Sequence, residues 1–235
     1  RQALSMGPEA VERDQERCDS CGECVHHCPA LVHEQTGWQA TVGEVMVEIE
    51  KDLPFYDQSG GGVTFSGGEP FAQPEFLMAL LKACRELSIH RTIDTSAYTT
   101  TRLMLEAAEI TDLMMCDIKH MDSLQHKKIT GVGNELILDN IQLLAGSGYA
   151  LRIRLPLIPG VNDSRHNIEA TIEFIKQLEN VSSVDVLPYH QAAKAKYNKL
   201  GTDYRGATIP VLTDSALEQT LMLLGQHGLE VVVGG

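Results

Sequence analysis

From Thr41 onward the chain alternates short aliphatic, β-branched runs with longer stretches whose apolar positions recur at helical spacing. Strand signals fall at 62–66, in a run ending Ile93-Asp94-Thr95, and at 113–119, 150–155, 184–188 and 229–233. Helix signals precede and separate them, at 43–56, from Pro74 to Leu87, and near 100–109, 135–146, 164–178 and 214–226. Pro74 suits a first helical turn, where no N–H is required, and Phe76, Leu77, Leu80, Leu81, Cys84 and Leu87 mark one face. Ser164 reads as an N-cap. Strands joined by helices pair in parallel, so the order predicts an α/β fold, either a barrel or an open sheet of βα units. Such folds collect their chemistry at the carboxyl ends of strands. Here those ends read Ser66-Gly67-Gly68-Glu69, Asp94-Thr95, Asp117 with Lys119, Arg154, and His190. Five successive strands closing on ionisable or Gly-rich residues predict one shared site.

The first forty residues have another character. Four of the six cysteines, Cys18, Cys21, Cys24 and Cys28, fall within eleven residues and are followed by Pro29. Residues 1–50 hold ten acidic residues against three arginines. The expected division is a ferredoxin-like iron–sulfur segment over 1–40 and an α/β domain over 41–235. At 43% hydrophobic and 22% charged residues the chain is an ordinary globular one. A net charge of −13 argues against nucleic-acid binding, which needs clustered Lys and Arg. No apolar run approaches the roughly 18 residues of a membrane span. Arg1 opens no charged-then-apolar leader, so a cytoplasmic location is expected.

The run C-x2-C-x2-C-x3-C-P wraps soft thiolates around a 4Fe–4S cluster, and in two-cluster ferredoxins its fourth cysteine serves the other cluster. Tetrahedral zinc is the competing occupant of four thiolates. Close cysteines in an otherwise ordinary domain fit a reducing compartment and not disulfides. Gly67 and Gly68 allow a ligand close to the backbone, and Glu69 offers an acceptor for an ammonium group. The loop lacks the Lys-Ser/Thr ending of a nucleotide-triphosphate loop. Lys119 is a Schiff-base amine, a carboxylate-binding cation or a partner of Asp117. Asp94 and Asp117, on neighbouring strands, could share a cation. Cys84 and Cys116 sit in apolar patterns and read as core.

Taken together, residues 59–70, Asp94-Thr95, residues 117–121, residues 154–160 and Leu187-Pro188-Tyr189-His190 with Lys196-Tyr197 and Leu200-Gly201 resemble the glycyl-radical-enzyme activating enzymes of the radical S-adenosylmethionine superfamily. The pyruvate formate-lyase activating enzyme belongs to that group. The likeness spans about residues 17–235. It implies an incomplete TIM-like (β/α)6 barrel, here without its first strand. It also implies that S-adenosylmethionine and 4Fe–4S clusters generate a 5′-deoxyadenosyl radical, which takes hydrogen from a glycine of a partner glycyl radical enzyme. Flavodoxin or ferredoxin would donate the electron. By resemblance, Gly67, Gly68 and Glu69 hold the cofactor's amino group, Lys119 and Arg154 its carboxylate, and His190 lies by the adenosine. Asp94, Thr95 and Asp117 would line a monovalent cation site, with Asp94 also facing the cofactor. One departure stands out. The family's catalytic cluster uses C-x3-C-x2-C, and after Cys24 and Cys28 position 31 is Leu31. The expectation is therefore a C-terminal part of a longer activase, inactive alone. Competing readings are a ferredoxin-type electron-transfer protein and a Schiff-base lyase using Lys119.

Overall fold

A computed structural model describes residues 2–8, 10–35, 37–191, 194, 197, 202–204 and 206–234. Lys196, Leu200 and Gly201 from the family-like stretches lie outside these. The chain forms two compact units, Arg1–Thr41 and Val42–Gly235.

In the smaller unit β1 (Leu4–Met6) pairs antiparallel with β2 (Val11–Arg13), and a short helix α1 (Glu23–His26) follows. Left-handed Ser20 (φ 58) and Gly22 (φ 79) turn the backbone sharply between Cys18 and Cys24.

The larger unit contains a six-stranded sheet in the order β3 (Gly62–Phe65), β4 (His90–Thr95), β5 (Leu113–Asp117), β6 (Leu151–Leu157), β7 (Val181–Pro188) and β8 (Val231–Val233). Every neighbouring pair is parallel. Crossovers of this kind are right-handed almost without exception. Because the spatial order follows the chain order and never reverses, the helices fall on one face, and the other face becomes the inside of a partial barrel. The helices of the described residues include α2 (Val42–Glu50), α3 (Leu53–Ser59), α4 (Pro74–Glu86), α5 (Thr101–Ala108), α6 (Ser123–Thr130), α7 (Glu135–Gly146), α8 (Arg165–Ile175) and α9 (Asp214–Gln226).

The expected strands are all present, with instructive differences. The single helix expected at 43–56 is two, because the chain breaks at Lys51-Asp52 and Pro54 opens α3 in its first turn. The strand expected to close at Arg154 or Leu155 continues to Leu157 through Pro156. Pro156 is tolerated because β5 pairs with β6 only as far as Arg154, so nothing in the ladder on that side needs its missing N–H. Arg154 is thus mid-strand, not terminal. Helix α6 had no clear apolar signal. It is held by its ends: Asp122 accepts the Gln125 N–H at 2.8 Å, and Gly131 turns out at φ 94.

The two faces of the sheet are chemically opposite. On β6, Leu151, Ile153, Leu155 and Leu157 are buried, while Arg152, Arg154 and Pro156 between them are only partly so. The buried set joins Ile93, Met114, Cys116, Val184 and Val186 under Leu81, Met104, Ile141, Leu144, Ile172 and Leu224 from the helices. Full burial of such a side chain stabilises by about 1.5–3 kcal/mol. Cys84 and Cys116 are both core residues.

Candidate active site

Strand register determines what the inner face presents. Asp94 aligns with Met115, Arg152 and Ser183 across β4 to β7, and one layer further on Asp117 aligns with Arg154 and Asp185. Three carboxylates and three cations, counting Lys119 just beyond β5, therefore share one surface. Arg154 Nη1 pairs with Asp94, whose Oδ2 also accepts the Ser66 hydroxyl at 3.0 Å, so Asp94 ties the loop after β3 to β4 and β6. Lys119 Nζ donates to Asp117 Oδ2 at 2.7 Å. Arg152 Nη1 stands 3.5 Å from fully buried Asp185, which accepts the Ser183 hydroxyl at 3.0 Å. Burial works against the Arg154 charge, but Asp94, Asp117 and Asp185 outweigh it and push its pKa up.

Glu69 is where the structure most changes the expectation from sequence. Its Oε1 accepts the Phe71 N–H at 3.2 Å and the Thr95 hydroxyl at 2.7 Å; its Oε2 accepts the Ser96 N–H at 3.0 Å and the Ser96 hydroxyl at 2.5 Å. A carboxylate has about four acceptor positions. All are engaged, so Glu69 is a clasp binding the loop after β3 to the end of β4, and not a free acceptor. Gly67 lies at φ 119, where a side chain would be strained, and a Cβ at Gly67 or Gly68 would meet no atom within 4 Å. The loop's open side is therefore backbone.

Lys119 is engaged with a carboxylate, whereas a Schiff-base lysine needs a desolvated or cation-flanked amine. Thr95 points its hydroxyl at Glu69, and Asp94 and Asp117 each already face a cationic side chain. His190 is exposed, two residues past β7.

In the smaller unit Cys18, Cys21 and Cys24 line one cavity of about 240 Å³ with Arg13, Gly22 and Gln35. Cys28 is not among the lining residues. The backbone N–H of Val32, outweighing burial and joined by those of Ala30, His33 and Leu31, pulls the Cys28 thiol below its ordinary range. Among the described residues no group of three or more His, Cys, Asp or Glu is already gathered as a metal site.

Residues 22–175 match the Radical SAM superfamily and residues 11–32 the 4Fe-4S binding domain. The choline trimethylamine-lyase activating enzyme of Oleidesulfovibrio alaskensis is 38% identical over 92% of this chain and 81% of its own length. The trans-4-hydroxy-L-proline dehydratase activating enzyme of Clostridioides difficile is 37% identical over 94% and 84%. A crystallised domain of the pyruvate-formate lyase-activating enzyme from Bacteroides vulgatus superposes with a TM-score of 0.64 at 35% identity, covering 74% of this chain and 99% of that one. The chain belongs to the glycyl-radical-enzyme activating enzymes of the radical SAM superfamily. Its cofactors are accordingly S-adenosylmethionine and 4Fe–4S clusters. Among the described residues no helix is long and apolar enough to cross a membrane.

The residues present fit the first of these cofactors. Asp117 Oδ1 and Arg154 Nε are buried and find no protein partner among the described residues, although Asp117 Oδ2 pairs with Lys119 and Arg154 Nη1 with Asp94. The carboxylate of a zwitterionic amino acid meets such a donor, and a positive charge beside it, an ammonium group or a monovalent cation, meets such an acceptor. The four thiols of 18–28 fit a cluster by the softness of their donors. Sequence reasoning missed Arg152, Asp185, Ser96 and the clasp role of Glu69. A signal for the first two existed: charges at alternate positions of apolar strands, as in Leu151-Arg152-Ile153-Arg154-Leu155, mark a polar inner face.

Proposed function

We propose that this chain supplies the cofactor cradle of an activase that installs a glycyl radical on a partner enzyme. The observation carrying this is the pair of buried, unpartnered atoms, Asp117 Oδ1 and Arg154 Nε, beside an open glycine backbone. In this reading Lys119 and Arg154 face the methionyl carboxylate. The Gly67-Gly68 backbone faces the ammonium group, and Glu69 adds negative charge behind that loop. His190 lies on the adenosine side. Asp94, Thr95 and Asp117 flank a monovalent cation. When bound, S-adenosylmethionine with a reduced cluster supplies hydrogen abstraction from a glycine. The barrel residues orient the ligand and exclude water. Cys18, Cys21, Cys24 and Cys28 hold an auxiliary 4Fe–4S cluster in the 1–40 segment, fed by flavodoxin or ferredoxin.

These 235 residues contain no C-x3-C-x2-C run, Leu31 standing where a third cysteine would fall. No catalytic cluster is therefore assigned to them, and we expect no turnover from the chain alone. Two measurements test the reading. Calorimetry should detect S-adenosylmethionine binding, and its absence overturns the cradle. EPR of the chain with a glycyl radical enzyme, reductant and cofactor should show no glycyl signal, and a signal overturns the claim of inactivity.

A further inference from the structure

We infer that Asn162 is a positioning residue that sets Lys119 relative to Arg154. Lys119 lies beyond the end of β5, where the ladder no longer holds the backbone; the last bond to β6 is from the Ile118 N–H to the Arg154 carbonyl at 2.9 Å. Yet the stretch is buried, His120 being 9% exposed. Buried backbone groups need partners, and three side-chain amides provide them. Asn162, 4% exposed, donates from Nδ2 to the Lys119 carbonyl at 2.8 Å and the Pro156 carbonyl at 2.6 Å, while its Oδ1 accepts the Ile158 N–H at 2.7 Å. Asn134 donates to the carbonyls of His120 (2.9 Å) and Met121 (2.8 Å). Asn167 accepts the Met121 N–H at 2.9 Å and donates to the Asn162 carbonyl at 2.8 Å.

Asn162 is the member that matters most, because its one NH2 group spans both cation-bearing segments. Pro156 is two residues beyond Arg154 on the same strand. Asn162, 43 residues away in sequence from the Lys119 carbonyl it holds, thus references the loop carrying Lys119 to the strand carrying Arg154. Two cations can grip one carboxylate only if their separation is fixed beforehand, so that binding does not have to order them.

The inference rests on the reading of Lys119 and Arg154 as carboxylate ligands, and its test separates the two. Calorimetry compares S-adenosylmethionine with decarboxylated S-adenosylmethionine, which lacks only the carboxylate. The parent chain should prefer the first, and Asn162→Ala should shrink that preference about tenfold, the scale of one charge-assisted hydrogen bond. A residue that only stabilises the fold would weaken both ligands alike, and an unchanged ratio overturns the inference. Should Asn162→Ala not fold, Asn162→Asp serves in its place: it keeps an acceptor for the Ile158 N–H and removes only the NH2 group that spans the two segments. Deuterium exchange is read in parallel. Residues 118–122 should exchange faster in the variant while residues 90–95 keep the parent rate. If the parent binds neither ligand, the cofactor reading fails, and the exchange comparison still decides whether the amides hold the loop.

Discussion

Glu69→Gln offers the sharpest division between a clasp and a ligand residue. The carboxylate accepts four hydrogen bonds, two from backbone N–H groups on opposite oxygens and two from hydroxyls. Gln has one oxygen and one NH2. If the NH2 takes the Oε1 position it confronts the Phe71 N–H; at Oε2 it confronts the Ser96 N–H. The hydroxyls of Thr95 and Ser96 can rotate to accept, but a backbone N–H cannot. One donor is therefore orphaned at about 1–3 kcal/mol, and the surviving contacts fall from charge-assisted to neutral strength. With Glu69 only half-buried, a net loss of about 2–3 kcal/mol follows, or about 5–10 °C in Tm for a domain of this size. Thermal unfolding by circular dichroism, with exposed Glu86→Gln as control, measures it. Thr95→Val added to Glu69→Gln should cost less than the two singly, since they share a contact. Equal melting of Glu69→Gln and Glu86→Gln, coupled with lost affinity for S-adenosylmethionine, would refute the reasoning and restore Glu69 as the ammonium acceptor.

Three further outcomes are expected. Cys18→Ser or Cys24→Ser should lower the iron content and visible absorbance of the reconstituted chain, and unchanged iron in both would remove the cluster from this loop. Burial pushes the thiols of Cys84 and Cys116 upward. Native alkylation at neutral pH should therefore spare both while denatured protein reacts at all six cysteines, as peptide mass spectrometry can report. Burial, opposed by the charge of Asp122, holds the His120 pKa below its ordinary value. The unfolded chain thus takes up this proton first as pH falls, so the contribution is complete above about pH 6.5 and declines below it. Urea midpoints at pH 7.5 and about 5.5 should differ by more in the parent than in His120→Gln, and equal differences would count against it.

Period and register account for what could be read from sequence alone. The alternation of β6 and the unbroken strand–helix order identify a parallel sheet with one apolar and one polar face, and the strand ends place Asp94, Asp117 and Lys119 at one rim. The apolar run at 150–155 puts Arg154 near a strand end; only the shorter pairing of β5 explains why the strand continues through Pro156 to Leu157. The asparagines were invisible for a different reason. Asn134 and Asn162 look like ordinary turn formers, and the loop carbonyls they hold, those of Lys119, His120 and Met121, are 13 to 43 residues away, a separation no local pattern encodes. Glu69 was recognised as important, but its partners Thr95 and Ser96 lie across a crossover, so its four acceptor positions could not be counted beforehand.

The inner face works because its charged groups are held in place yet not exhausted. Arg154 uses Nη1 to hold Asp94 and keeps Nε free; Asp117 uses Oδ2 to hold Lys119 and keeps Oδ1 free. A guanidinium has five donors and a carboxylate about four acceptor positions. Each side chain can therefore be fixed by one contact and still offer another. A ligand arriving at these atoms need not break the pairs that set their geometry, so the cost of ordering is met during folding and not during binding. The same logic explains why the sequence places such groups on adjacent strands: in a parallel ladder, register alone brings Asp117 beside Arg154, and neighbouring loops need only be anchored to keep it so.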